Sequence, residues 1–302
     1  MMDDSGRNGN EPRPIPMEAS RSPDEERQRA IGRRELRLGL ILVSLFWPLN
    51  WFLPGPRTAW LFFPLWLGYI LAMDGLVSRR SGSSLLSRDG RWFITLFPLS
   101  SVIWWLFELF NLRAQNWVYV GEEDFSPWLF VLCSSLSFST VLPAVLVTSE
   151  WMGSFSWLSR CRREDRRTTG KQWLFSVFVA GLGMFSLFLL FPKLFFPFLW
   201  TSLVCLIDPI NAWRGRPSLL KAIGRGDWRP LVSFGLAGLF CGFFWELWNS
   251  RSYPYWAYHI PFFDFWHLFA MPLPGYLGYP PFAWELYGLT HLVWRRTPLR
   301  VY

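Results

Sequence analysis

Long apolar runs alternate with arginine-rich stretches along most of the chain, and this alternation restricts the fold more than any motif does. The runs cover residues 38–53, 58–77, 93–111, 128–149, 172–191, 194–211, 231–249 and 268–294. The pattern is that of helices crossing a hydrocarbon core about 30 Å thick. Half of the residues are apolar, and 21 Trp and 29 Phe in 302 positions are more than a soluble domain can hide. The expected fold is an all-α polytopic integral membrane protein with about eight transmembrane helices. Pro272, Pro274, Pro280 and Pro281 interrupt the last run, so its first part is expected to be re-entrant or interfacial, with the crossing helix starting near Pro281.

Charge tests this reading independently. With both termini on the cytoplasmic side, 26 Lys and Arg fall in inner segments, and only Arg57, Arg113, Lys193 and Arg251 fall outside. That asymmetry obeys the positive-inside rule. The net charge of +8 therefore reports topology and not nucleic-acid binding, and membrane lipids are the expected partners. The setting expected is a bacterial cytoplasmic membrane. Residues 1–30, rich in Pro, Ser, Gly and charge, read as a disordered cytoplasmic tail without the apolar core of a cleaved signal peptide. The four cysteines show neither a disulfide framework nor zinc spacing.

One segment occurs twice. Phe107-Glu108-Leu109-Phe110-Asn111 precedes Asn116-Trp117-Val118-Tyr119, and Trp245-Glu246-Leu247-Trp248-Asn249 precedes Tyr255-Trp256-Ala257-Tyr258. The copies lie 138 residues apart at Glu and Asn and 139 at the aromatic pair. Glu and Asn three apart share one helix face. Phe62-Phe63-Pro64 matches Phe195-Phe196-Pro197, Asp74 matches Asp208, and Ser84-Leu85-Leu86 matches Ser218-Leu219-Leu220. The expected organisation is two tandem four-helix repeats, 38–149 and 172–294, joined by a basic cytoplasmic linker at 160–171. An even number of helices brings both copies into the bilayer the same way, related by a pseudo-twofold axis along the membrane normal. Pro143 aligns with Pro281, but Glu285 then faces Val147, so the halves differ and the second is the better place to seek a site.

Carboxylates inside a membrane segment are costly, by about 2.5–3.5 kcal/mol on insertion scales, and commonly mark function. Glu246, Glu285 and Glu108 are the candidate catalytic groups. Their structural alternative is bonding to a neighbouring Asn, indole or arginine, which would merely lock the repeats together. Asn111, Asn249, Trp117, Tyr119, Trp256 and Tyr258 are candidates to shape an outer pocket, although Trp and Tyr there also suit an ordinary aromatic belt. His267 joins them from the outer loop, three residues after Asp264, but the spacing of a strong metal set is missing and no metal is expected. On the inner side, Ser84 and Ser218 are expected to cap short interfacial helices, and Asp74 and Asp208 to pair with loop arginines. Arg214, Arg216 and Arg229 are candidates for anionic headgroup binding.

No phosphate-binding glycine loop, Asp-rich prenyl diphosphate signature or metalloprotease helix is present, and the sequence names no cofactor. The Glu-x-x-Asn and Trp-x-Tyr segments resemble the repeated apolar units of the small membrane lycopene cyclases, which also carry acids and aromatics. The resemblance stops at those segments: the paired-glutamate motif after a proline has no counterpart, so membership does not follow. The functional expectation is a membrane-embedded enzyme acting on a lipid or isoprenoid through a carboxylate in an aromatic outer-leaflet pocket. An apolar surrounding favours the protonated form of such a group, which suits proton donation. The alternatives are a transporter with its pathway between the repeats, or a non-catalytic membrane scaffold.

Overall fold

The computed structural model describes residues 22–163, 169–262 and 264–300. These residues form a mainly helical structure with twelve α-helices and two small antiparallel ribbons. In chain order, α1 (Pro23–Phe52), α2 (Thr58–Ser81), α3 (Leu85–Arg88) and α4 (Gly90–Ala114) lead to strand β1 (Trp117–Val120) and then α5 (Pro127–Phe138) and α6 (Val141–Gly153). The second half runs α7 (Lys171–Leu190), α8 (Pro192–Phe195), α9 (Pro197–Trp213), α10 (Leu219–Gly224) and α11 (Arg229–Asn249). Strands β2 (Tyr255–Tyr258), β3 (His267–Leu268) and β4 (Met271–Pro272) precede α12 (Tyr279–Val293).

Five stretches are long and apolar enough to cross a membrane: α2, α4, α5 with α6, α7 and α11. The other three expected crossings differ for visible reasons. In α1 the C-terminal half is apolar, but the first turns are charged. α9 has 17 residues because Pro192 and Pro197 each restart a helix at its first turn, where a missing N–H costs nothing. α12 has 15, and the residues before it form the β3–β4 hairpin and a 3₁₀ segment over Leu273–Gly278. The helix thus starts two residues before Pro281, close to the expected place.

Two expectations are corrected. The tail expected to be disordered to residue 30 is helical from Pro23, where spacings such as Glu26 and Arg29 allow supporting pairs along the helix; residues 1–21 lie outside the described residues. The run 128–149, read as one helix, is two. Pro143 cannot donate to the Ser139 carbonyl, and its ring would clash there, so the chain turns at Ser139 and Thr140. Ser100 of α4 heals the break: its hydroxyl donates to Phe138 O (2.6 Å) and accepts from Leu142 N (2.9 Å), the two groups that a continuous helix would have joined.

Packing follows the small residues. At Gly39 of α1 a Cβ would stand 2.3 Å from Ala72 N, and at Gly68 of α2 it would stand 2.7 Å from Leu42 Cβ, so the two backbones touch as only glycine permits. The same partnerships occur in both halves: α1 with α2 and α7 with α9, α2 with α6 and α9 with α12, α4 with α6 and α11 with α12. α2 is mostly buried, whereas α7 is mostly exposed.

The connections after α2 and α9 are built by capping. Ser84 forms a reciprocal capping box with Ser87 at α3, and Ser218 Oγ accepts from Lys221 N at α10. Asp208 does not pair with arginines as expected. It accepts from Ser218 Oγ (2.7 Å), Leu219 N (2.7 Å) and Leu220 N (2.9 Å), because the start of α10 presents unpaired N–H groups to it. Asp74 instead sits beside Ser84 and Glu35 of α1.

Candidate functional site

The repeated segment has the same geometry twice. At the end of α4, Asn111 donates to Trp117 O (2.8 Å) and its Oδ1 accepts from Asn116 N (2.9 Å) and Trp117 N (3.3 Å). At the end of α11, Asn249 donates to Trp256 O (2.7 Å) and accepts from Trp256 N (2.9 Å). Each asparagine therefore holds the first residue of a Trp-x-Tyr pair by both of its main-chain groups. The two strands then pair with each other, Trp117 opposite Tyr258, Val118 opposite Ala257 and Tyr119 opposite Trp256. This register exchanges equivalent residues about the midpoint of Val118 and Ala257, a local twofold relation.

Both glutamates turn toward that ribbon. Glu108 Oε1 accepts from Trp104 Nε1 (2.9 Å), Trp117 Nε1 (3.1 Å) and Tyr119 OH (2.6 Å). Glu246 Oε1 accepts from Tyr258 OH (2.7 Å), Tyr279 OH (2.6 Å) and, more weakly, Trp256 Nε1 (3.4 Å). Glu246 is fully buried, and its Oε2 has no hydrogen-bond partner. Among the described residues neither glutamate forms an ion pair. The third donor differs between copies by a compensated exchange. Where the first copy has Trp104, the second has Gly242, and the Tyr279 ring occupies the space beside it.

Aromatic packing crosses between the halves in the same reciprocal way. Trp66 of α2 packs on Trp245 of α11 at 5.3 Å, and Trp200 of α9 stacks on Phe107 of α4 at 5.4 Å. The donors to both glutamates, together with Trp200 and Trp245, line a cavity of about 440 Å³. It is almost entirely apolar, and no charged side chain lines it. The volume is that of a small-molecule site. Neither glutamate is part of the wall: each stands behind the rings that contact it, with Trp104, Trp117, Tyr119, Trp256, Tyr258 and Tyr279 in front.

No protein family matches this chain, and neither curated proteins nor solved structures give a match. The site is read from its own residues.

Of the candidate residues, Trp117, Tyr119, Trp256 and Tyr258 come together at the cavity, with Glu108 and Glu246 behind them. Asn111 and Asn249 are braces, and neither lines the wall. Glu285 stays apart: it lies one turn beyond Phe282 on α12, fully buried, with no hydrogen bond to either oxygen. His267 is exposed and bonds to Asp264 Oδ1 at 2.8 Å on the β3–β4 hairpin, also outside the wall. Short spacing brought those two together, and the hairpin holds them outward.

The proposed headgroup arginines are largely committed elsewhere. Arg216 donates to the carbonyls of His291 and Leu292 at the end of α12. Arg229 makes a two-pronged contact with Asp227, 2.7 Å on each side, and this guanidinium holds the Asp227 carboxyl below the usual carboxylate range. Arg214 alone of the three is exposed. Sequence reasoning missed Tyr279, Trp104 and Trp200. The exchange of Trp104 for Gly242 at the repeat offset was the available signal, since a lost ring on one side asks what fills its place.

Proposed function

We propose that the protein is an enzyme of the bacterial cytoplasmic membrane that acts on a lipid or isoprenoid held in the aromatic cavity. In this reading the chain makes eight crossings as two parallel four-helix repeats, with both termini cytoplasmic. The recurring helix partnerships and the twofold ribbon support the duplication. The shorter helices α9 and α12 serve as the sixth and eighth crossings beside longer neighbours. The cavity then lies toward the arginine-poor face.

One observation carries the enzymatic reading: wall phenols of an apolar cavity hydrogen-bond to a buried carboxylate that has no cation. Glu246 is the proton store, and Tyr258 and Tyr279 are the groups that meet the ligand. In this structure each phenol donates to Glu246 Oε1; to protonate a bound chain its hydroxyl turns toward the cavity, and the protonated carboxyl group behind it then returns a proton to the phenol oxygen. The cavity does not favour transport, because neither glutamate lines it and no charged group marks a path for an ion. Two of the three donors to Glu108 are indoles, which do not exchange their N–H protons as phenols do, and this favours a structural role for that residue, a lock between strand and helix.

The test is the membrane lipid profile of a deletion strain, complemented by the wild type, Glu246→Gln or Glu108→Gln. A profile altered by deletion, restored by wild type and Glu108→Gln but not by Glu246→Gln, supports the reading. A deletion strain with unchanged lipids removes it.

A further inference from the structure

The geometry points to a sideways route by which a hydrocarbon chain passes from the bilayer into the cavity, between the start of α9 and the turn before α12. This rests on the cavity described above as a lipid site, and it names how the ligand arrives and what its chemistry must be.

The cavity wall is not equally covered. Pro197, at the first turn of α9, and Leu277, in the 3₁₀ segment before α12, both line the cavity and are both exposed at the surface. Leu277 keeps 74% of its surface open. These two residues mark the mouth. On the α9 side the surface leading to it is mostly apolar, with Leu190, Phe191 and Leu194 all more than half exposed and Lys193 the one exposed charge among them. α7, which ends at Leu190, is the least buried of the long apolar helices. A surface of this kind faces lipid, since in water it would be a large exposed apolar patch. The prolines explain why a gap exists here: Pro192 and Pro197 break the chain into α8 and α9, and Pro272 and Pro274 keep the facing segment from joining α12.

The lining decides the class of ligand. With no charged side chain in the wall, a phosphate or carboxylate inside would be desolvated without a counter-charge. A chain without charge, acyl or polyisoprenyl, loses nothing by moving from lipid to this wall, and any charged headgroup stays outside the mouth. The β1–β2 ribbon, by contrast, supplies Trp117, Tyr119, Trp256 and Tyr258 as one continuous side of the wall.

The test uses the full chain in vesicles of phosphatidylethanolamine and phosphatidylglycerol that also carry a deuterated phospholipid and a polyprenol. A photoreactive benzophenone amino acid is placed at position 277, and at position 118 on the ribbon as a control. The expected result is an adduct with a lipid chain at 277, whose mass distinguishes the acyl from the polyprenyl source. Bound deuterated lipid or polyprenol should exchange several-fold more slowly in Leu277→Trp than in wild type, with Val118→Trp unchanged. Absence of a lipid adduct at 277, or equal exchange in Leu277→Trp and wild type, overturns the route. The Glu246→Gln lipid profile is a separate readout, so the proton chemistry can fail while the route stands, and the reverse.

Discussion

Gly242 and Tyr279 fit together so closely that a Cβ on Gly242 would stand 2.4 Å from the Tyr279 ring. The glycine is the reason that the phenol can reach Glu246 from α12, whereas the first copy reaches Glu108 with Trp104 from within α4. Gly242→Ala should therefore displace Tyr279 and remove a donor from Glu246. The combined overpacking and lost bond should cost about 2–4 kcal/mol. Tyr279→Phe, which removes only the hydroxyl, should cost about 1.5 kcal/mol. Denaturation midpoints in detergent check the order. A smaller loss for Gly242→Ala than for Tyr279→Phe would show that the ring has room to move.

Asn249 should matter more than Asn111. Both brace a strand, but Asn249 is fully buried and Asn111 is partly open, so water can replace the lost partners only at Asn111. Asn249→Ala should cost about 2–3 kcal/mol and Asn111→Ala about 1 kcal/mol. Hydrogen exchange at Trp256 and Tyr258 should rise in the first variant. Equal exchange in the two variants would place the ribbon's stability in its strand pairing.

Ser100→Ala should unsettle the turn between α5 and α6, because Phe138 O and Leu142 N lose the hydroxyl that links them in a buried place. The expected cost is about 1–3 kcal/mol. Ser100→Thr, which keeps the hydroxyl, should recover most of it, and thermal midpoints of the pair decide.

The Asp227–Arg229 contact, at the start of α11, gives a pH dependence. Its hydrogen bonds lower the Asp227 carboxyl below its ordinary value, so its stabilisation is fully present above that ordinary value and is lost as pH falls through the lowered one. The pair is only partly buried and stays open to solvent screening, so the effect is small. Trp228 N bonds to Cys161 O and Arg163 N to Gly226 O, which ties the start of α11 to the first residues of the basic linker. Protease cleavage of that linker should quicken in acid in the wild type, and already at neutral pH in Asp227→Asn. Equal cleavage of both proteins at neutral pH would mean that the main-chain bonds alone hold the join.

Much of this was legible in the sequence, for physical reasons that differ between elements. Apolar length and arginine placement are properties of whole segments, so the helices appeared where hydropathy put them. The offset of 138 found Glu108, Asn111 and their partners because both copies keep the same local bonds. The break before Pro143 was missed because hydropathy is blind to a single absent N–H. Glu285 and His267 were grouped with the others but stand apart from the ribbon and its glutamates, because sequence distance says nothing of where a side chain lies. Asp208 was given arginines because charge is visible in a sequence, whereas three unpaired N–H and O–H donors at a helix start are not.

Glu246 offers the sharpest separation of chemistry from structure. Three donors converge on Oε1, and Oε2 has no partner. Glutamine retains an acceptor oxygen for those donors and puts its amide nitrogen where nothing was bonded. Glu246→Gln should thus keep the fold, with a loss below about 1.5 kcal/mol, while removing the acid. Glu246→Leu should cost about 3 kcal/mol or more, since it leaves buried hydroxyl and indole donors unpaired. If the lipid profile changes equally in both variants while only the leucine protein is unstable, the acid is what the protein uses. If glutamine leaves the profile intact and leucine alone disturbs it, the carboxylate serves only to hold Tyr258 and Tyr279 in place.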